Sequence, residues 1–358
     1  MQRFGRAVLA AALAVALSQG FAQTSPAVQQ GDYVTHDFHF KSGESLPEMR
    51  LHYRTLGALH RNAQGHVDNA VMILHGTTGS GAQFLAPYFA GVLFGPGQLL
   101  DAAKYYIVLP DGIGHGGSSK PSDGMHAHFP QYDYDDMVAA QHLLLTEGLH
   151  VDHLRLIMGT SMGCMHSWVW GETWPDFSDA LMPLACLPVQ IAGRNRMMRK
   201  MAMDAITGDP AWNHGDYTRQ PPGLQTLLEM MLIMVSSPLQ MQEHEPTRDE
   251  ADAYVADFLK THLATADAND FLYAFNASRD YDPSAKLETI TVPVMAINSA
   301  DDFVNPPELN IMPRMIKRVQ KGSFVLLPIT EQTRGHGTHT MAAIWQEYLA
   351  ALLEESAH

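Results

Sequence analysis

Apolar and polar positions follow three successive patterns along the chain. Across 33–57 they alternate, in Tyr33-Val34-Thr35-His36-Asp37-Phe38 and again in Met49-Arg50-Leu51-His52-Tyr53. That is the period of half-buried strands, and the two segments read as an antiparallel pair at a sheet edge. Short, largely apolar runs follow at 71–74, 106–109, 154–158, 292–297 and 324–327, most of them closed by turns containing glycine or aspartate. Strands buried on both faces carry this signature. Between the second and third runs, Met137, Val138, Gln141, Leu144 and Leu145 recur at helical spacing within 135–147. Strand, helix and strand in succession predict a mostly parallel sheet, hence an α/β fold.

The alternation stops near Pro188. Residues 189–285 show helical patterns broken at Gly208-Asp209-Pro210 and Pro221-Pro222-Gly223. They read as a helical cap inserted into a core made of 31–188 and 286–358. Eight of the 21 methionines fall within 197–241, a density that suits a deformable apolar surface as well as ordinary packing inside the cap. Such a surface is also where two copies of the chain could pair as a homodimer.

The first residues change the picture of where this fold operates. Arg3 and Arg6 precede eleven apolar residues, 7–17, and Gly20-Phe21-Ala22 has the small-x-small form of a cleavage site. The segment 1–22 therefore reads as a signal peptide cut after Ala22, placing the mature protein in the periplasm or outside the cell. Eleven apolar residues fall well short of the roughly 20 that cross a bilayer, so no stable membrane insertion is expected. Loss of the two arginines takes the formal charge from −15 to −17. An acidic surface disfavours nucleic acid and anionic membranes, and leaves a small, neutral or cationic molecule as the expected partner.

Candidate chemistry sits at the third parallel strand. Residues 154–158 run into Gly159-Thr160-Ser161-Met162-Gly163, and the sequence beyond is helix-compatible, so this G-x-S-x-G lies between strand and helix. A tight turn there holds a serine in a strained conformation above the sheet, and glycine neighbours avoid a clash with it. A serine nucleophile needs a base and an orienting carboxylate later in the chain. Asp301 and Asp302 follow the run at 292–297, and Gly335-His336-Gly337-Thr338-His339 follows the run at 324–327. His336 is the expected base, with His339 as runner-up, while the residues alone leave Asp301 and Asp302 equivalent. Two backbone N–H donors should form an oxyanion hole, one from Met162 and one from Thr77 in His75-Gly76-Thr77-Thr78-Gly79. His75 itself is expected to pack against that loop.

Other motifs are weaker. Gly112-Ile113-Gly114-His115-Gly116-Gly117 fits G-x-G-x-x-G, but Ser118-Ser119-Lys120-Pro121 follows instead of a helix that could receive a pyrophosphate, so a rim loop is expected. Phosphate-loop and zinc-protease motifs are missing, and neither a cofactor nor a metal is expected. Cys164 and Cys186 read as two buried thiols near the sheet's C-terminal edge; a disulfide is the alternative that an oxidising compartment permits.

The elbow resembles that of the α/β-hydrolase superfamily, and the chain resembles the homoserine O-acetyltransferase family over most of its mature length. The matching segments include 75–79, Tyr134-Asp135-Asp136-Met137-Val138 with Gln141, Ser161-Met162-Gly163, Asp209-Pro210-Ala211-Trp212, Gly215-Asp216-Tyr217, Asp302 before Pro306-Pro307, and Gly335-His336. The resemblance implies a triad of Ser161, Asp302 and His336 beneath a cap, and it is what selects Asp302. Two departures matter: Met203 stands where the family has an arginine for the homoserine carboxylate, and Gly337 replaces an aspartate. Methionine offers a carboxylate only apolar contact, which argues against homoserine as acceptor. The expected activity is that of a secreted serine esterase acting on a small ester through an acyl-enzyme. The alternative is an acyltransferase of the family's type with a different acceptor.

Overall fold

Each apolar run becomes a strand because it feeds two cores at once. In β3 (Ala70–Leu74), Val71 and Ile73 join one buried cluster while Met72 and Leu74 join another. In β4 (Tyr106–Pro110), Ile107 and Leu109 part from Val108 in the same way, and in β5 (Leu156–Thr160) Leu156 and Met158 part from Ile157. Alternate side chains leave opposite faces of a strand, so a run without polar positions needs cover on both. Burying one such side chain is worth about 1.5–3 kcal/mol.

The computed structural model describes residues 27–357, so the signal-peptide expectation at 1–22 lies outside the described residues. Among the described residues the remaining strands are β1 (Val28–His39), β2 (Ser45–Leu56), β6 (Leu181–Leu184), β7 (Val294–Ser299) and β8 (Gly322–Leu327). They form one sheet in the order β1-β2-β4-β3-β5-β6-β7-β8. The β1–β2 and β2–β4 pairings are antiparallel and the rest parallel, which puts the long β1–β2 pair at one edge.

Helices α1 (Ala90–Leu93) and α10 (Ala342–Glu355) cover one face with Phe89, Leu93, Trp345 and Leu349. On the other lie α2 (Tyr134–Leu143) and α3 (Met162–Thr173), with Met137, Trp168 and Trp170 in the core. Asp133 and Asp136 close a capping box at the start of α2, and a π-turn over 144–148 completes the helical stretch expected at 135–147.

Strand β6 was not among the strands expected from the apolar pattern: its four residues carry Pro183, a residue that argues against a central strand. Between β6 and β7 the chain leaves the sheet through α4 (Gly193–Thr207), α5 (Gly223–Val235), α6 (Pro238–His244), α7 (Arg248–Leu263) and α8 (Ala268–Asn276). Ala202, Met203, Ile206, Leu224, Leu227, Leu228, Ala268 and Phe275 give these helices an apolar cluster of their own. A short α9 (Met312–Met315) precedes β8.

Candidate active site

Ser161 occupies the bend between β5 and α3 with φ 54° and ψ −107°, a conformation unfavourable for any residue with a Cβ. The surroundings enforce it. Ser161 N–H donates to Leu184 O on β6 at 2.9 Å, and Gly163 N–H donates to His75 O in the loop after β3 at 2.9 Å. A Cβ on Gly159 would strike the Gly163 carbonyl oxygen, and one on Gly163 would strike that of Leu74. Both glycines of the motif are therefore required by close backbone approach.

The structure brings His336 to this serine. Its Nε2 lies 2.8 Å from Ser161 Oγ, and its Nδ1 lies 2.9 Å from Asp302 Oδ2. Asp302 also accepts from the backbone N–H groups of Val304 at 2.8 Å and Asn305 at 3.1 Å, and from Asn305 Nδ2 at 3.0 Å. Burial works against its ionisation, but the charge and hydrogen bond of His336, with the Asn305 donors, prevail and hold the carboxyl below its usual range. An ionised Asp302 only accepts, so Nδ1 carries the ring proton and Nε2 accepts the Ser161 hydroxyl. An imidazole held this way can take a hydroxyl proton while the carboxylate faces the resulting charge.

The neighbouring acid has other partners. Asp301 accepts from Ser299 Oγ, from Gly335 N at 2.9 Å and from Ser237 Oγ at 3.2 Å, so it ties the start of α6 to the loop carrying His336. His339 packs edge-on against His336, with ring centroids 5.2 Å apart. Burial, and then His336, bring His339 down to about 3, leaving it a neutral ring.

Thr77 and Met162 flank the serine, and neither backbone N–H has an acceptor among the described residues. His75 fixes the first of these loops. Its Nδ1 lies 2.8 Å from Gly76 O, and its Nε2 accepts from Gly112 N at 2.9 Å. Burial, and then His115, lower it to about 4, in keeping with a neutral packed ring. The glycine-rich segment at 112–117 is a loop followed by only a short 3-10 turn, Pro121–Asp123, and its His115 Nε2 reaches Thr77 O at 2.6 Å.

Two expectations need correction. Cys164 and Cys186 are not a pair of thiols: they form a disulfide with Cα atoms 5.9 Å apart, joining the first turn of α3 to the end of β6. Adjacent parallel strands bring the two residues into range. The second concerns the missing cation. Met203 packs into the apolar cluster of the cap helices, whereas Arg199, one turn earlier on α4, lines the cavity of about 340 Å³ that contains Ser161 and His336. Attention to position 203 alone passed over it, although spacing of four residues places both on neighbouring turns of one helix face.

A mostly parallel sheet, a serine on a strained strand-to-helix bend and helices inserted before the last strands define an enzyme of the α/β-hydrolase type. A family model described as "Alpha/beta hydrolase family" matches residues 71–352, and the chain belongs to that family. It is 29% identical over 293 residues to a probable acyltransferase of Methanothermobacter thermautotrophicus, covering 81% of this chain and 88% of the relative. It is likewise 29% identical to the homoserine O-acetyltransferase of Moorella thermoacetica, over 89% of this chain and 95% of the relative. In structure it resembles esterase E22, with TM-score 0.79 at 18% identity, covering 91% of this chain and 100% of that one.

Proposed function

We propose that this protein is an exported serine esterase. The observation that carries the reading is the hydrogen-bonded line from Ser161 Oγ through His336 to Asp302. In it, Ser161 attacks the ester carbonyl as its proton passes to His336 Nε2, the protonated ring then releases the alcohol, and water activated by the same nitrogen cleaves the acyl-enzyme. Asp302 holds the Nδ1–H tautomer and balances the imidazolium. The free N–H groups of Thr77 and Met162 would receive the oxyanion, where each donor is worth roughly 10²–10³ in rate. The disulfide supports export, since such bonds persist in oxidising compartments. Purified exported protein should then begin at Gln23.

Labelling with a fluorophosphonate probe and hydrolysis of short acyl 4-nitrophenyl esters, each compared with Ser161→Ala, test the reading. Wild type should label and turn over, and the variant should do neither; equal behaviour of the two sinks it. A second reading, acyl transfer to an alcohol, is favoured by the acyltransferase relatives that match most of the chain. Thiol release from acetyl-CoA that depends on added homoserine would select it.

A further inference from the structure

The cavity before Ser161 is apolar where the cap faces it, through Met231, Met234, Val235 and Phe275, yet it holds one cation. Arg199 is 4% exposed. Its Nε donates to Asn195 Oδ1 at 3.0 Å and its Nη1 to Ser278 Oγ at 3.2 Å, while the guanidinium carbon lies 5.6 Å from the centre of the Phe275 ring. These neighbours are neutral, as is the buried Tyr134 hydroxyl beside the guanidinium. Among the described residues no carboxylate lies within ion-pair distance of Arg199, whereas Arg54, Arg155 and Arg318 each have one. A cation removed from water without a counter-charge is costly, and five N–H donors in a rigid fork match a carboxylate geometrically.

We infer that Arg199 receives a free carboxylate carried by the substrate, so that the preferred esters are anionic. The inference rests on the proposed hydrolytic role of Ser161 and narrows it from esters in general to those bearing a carboxylate within one cavity length of the scissile carbonyl. The carboxylate belongs either to the acyl group or to the alcohol; recognition by the guanidinium is the same in both cases.

Two pairs of esters separate these sources: mono-4-nitrophenyl glutarate against 4-nitrophenyl butyrate for the acyl side, and 4-acetoxybenzoate against phenyl acetate for the alcohol side. In one pair, kcat/KM for the anionic member should exceed that of the neutral member at least tenfold. Arg199→Met should cut that ratio about tenfold to hundredfold, the usual weight of a charge-assisted hydrogen bond, and Arg199→Lys should restore part of it. No anionic preference in either pair, or the same ratio in Arg199→Met, overturns the inference. If Arg199→Met fails to fold by circular dichroism, inhibition of wild type decides. Glutarate must then inhibit phenyl acetate hydrolysis at concentrations at least tenfold below glutaramide, and equal inhibition overturns the proposal. Should no ester be cleaved and Ser161 not label, the hydrolytic reading fails separately. Calorimetric binding of glutarate to Ser161→Ala would still support an anion site, and its absence would remove that too.

Discussion

Adjacent residues of like chemistry have different fates here. Asp301 and Asp302 cannot be ranked from local sequence, because both follow the same strand; what divides them is direction. Asp302 meets the imidazole and Asn305, while Asp301 is occupied by Ser237, Ser299 and Gly335. Asp302→Asn should therefore lower kcat for a short acyl ester by roughly 10³-fold or more, since an amide can stabilise the wrong tautomer of His336. Asp301→Asn retains an acceptor for Gly335 and should cost far less. Steady-state kinetics on both variants, with unchanged near-ultraviolet circular dichroism, checks the contrast; equal losses would reverse the assignment. Ser161 and its glycines were legible beforehand because backbone crowding leaves few alternatives at such a bend. Arg199 was not, because a lone arginine in a helix carries no signal until the burial around it is known.

At the level of elements, strands buried on both faces announced themselves through short apolar runs, and the β1–β2 pair through alternation. Strand β6 was masked by Pro183 within it, and with it went the geometry that pairs Cys164 with Cys186, since only the β5–β6 neighbourhood brings them together. The disulfide closes a separation of 22 residues that includes α3, and a loop of that size stabilises by roughly 3 kcal/mol through restriction of the unfolded chain. Replacing both cysteines with alanine should lower the stability measured in urea by about that amount, and dithiothreitol should move wild type towards the variant. A urea midpoint that neither treatment shifts would show the staple to be idle.

Over the whole molecule, the acidic surface and the cavity carry opposite messages. A formal charge of −15 pointed to a neutral or cationic partner, whereas the one charged side chain lining the cavity among the described residues is Arg199. Net charge is a sum over the surface and is blind to what a cavity conceals. Helix α8 is also tied to the turn at 121–123 through a titratable group. Asp270 on α8 accepts from Ser122 N at 2.9 Å and Ser122 Oγ at 2.6 Å, and burial, against those bonds, raises its carboxyl to about 6. The folded protein thus holds a proton there that the unfolded chain, near 3.8, releases in the window between the two values. Stability from this group is complete below 3.8 and is lost as pH rises through about 6. The melting temperature should rise between pH 7 and pH 5, and Asp270→Asn should flatten part of that rise. Asp302, lowered by its partners, loses its contribution only as pH falls below 3.8 and does not interfere in that window.

The bend at Ser161 has a cost for anyone who would make the protein hardier. Its φ of 54° is one that glycine adopts freely and serine resists by about 1–3 kcal/mol. Directed selection for heat tolerance, run without a turnover screen, would be drawn towards glycine at this position and, on the proposed role of Ser161, would deliver a sturdier, inert polypeptide. Durability and reactivity compete for the same few degrees of backbone rotation.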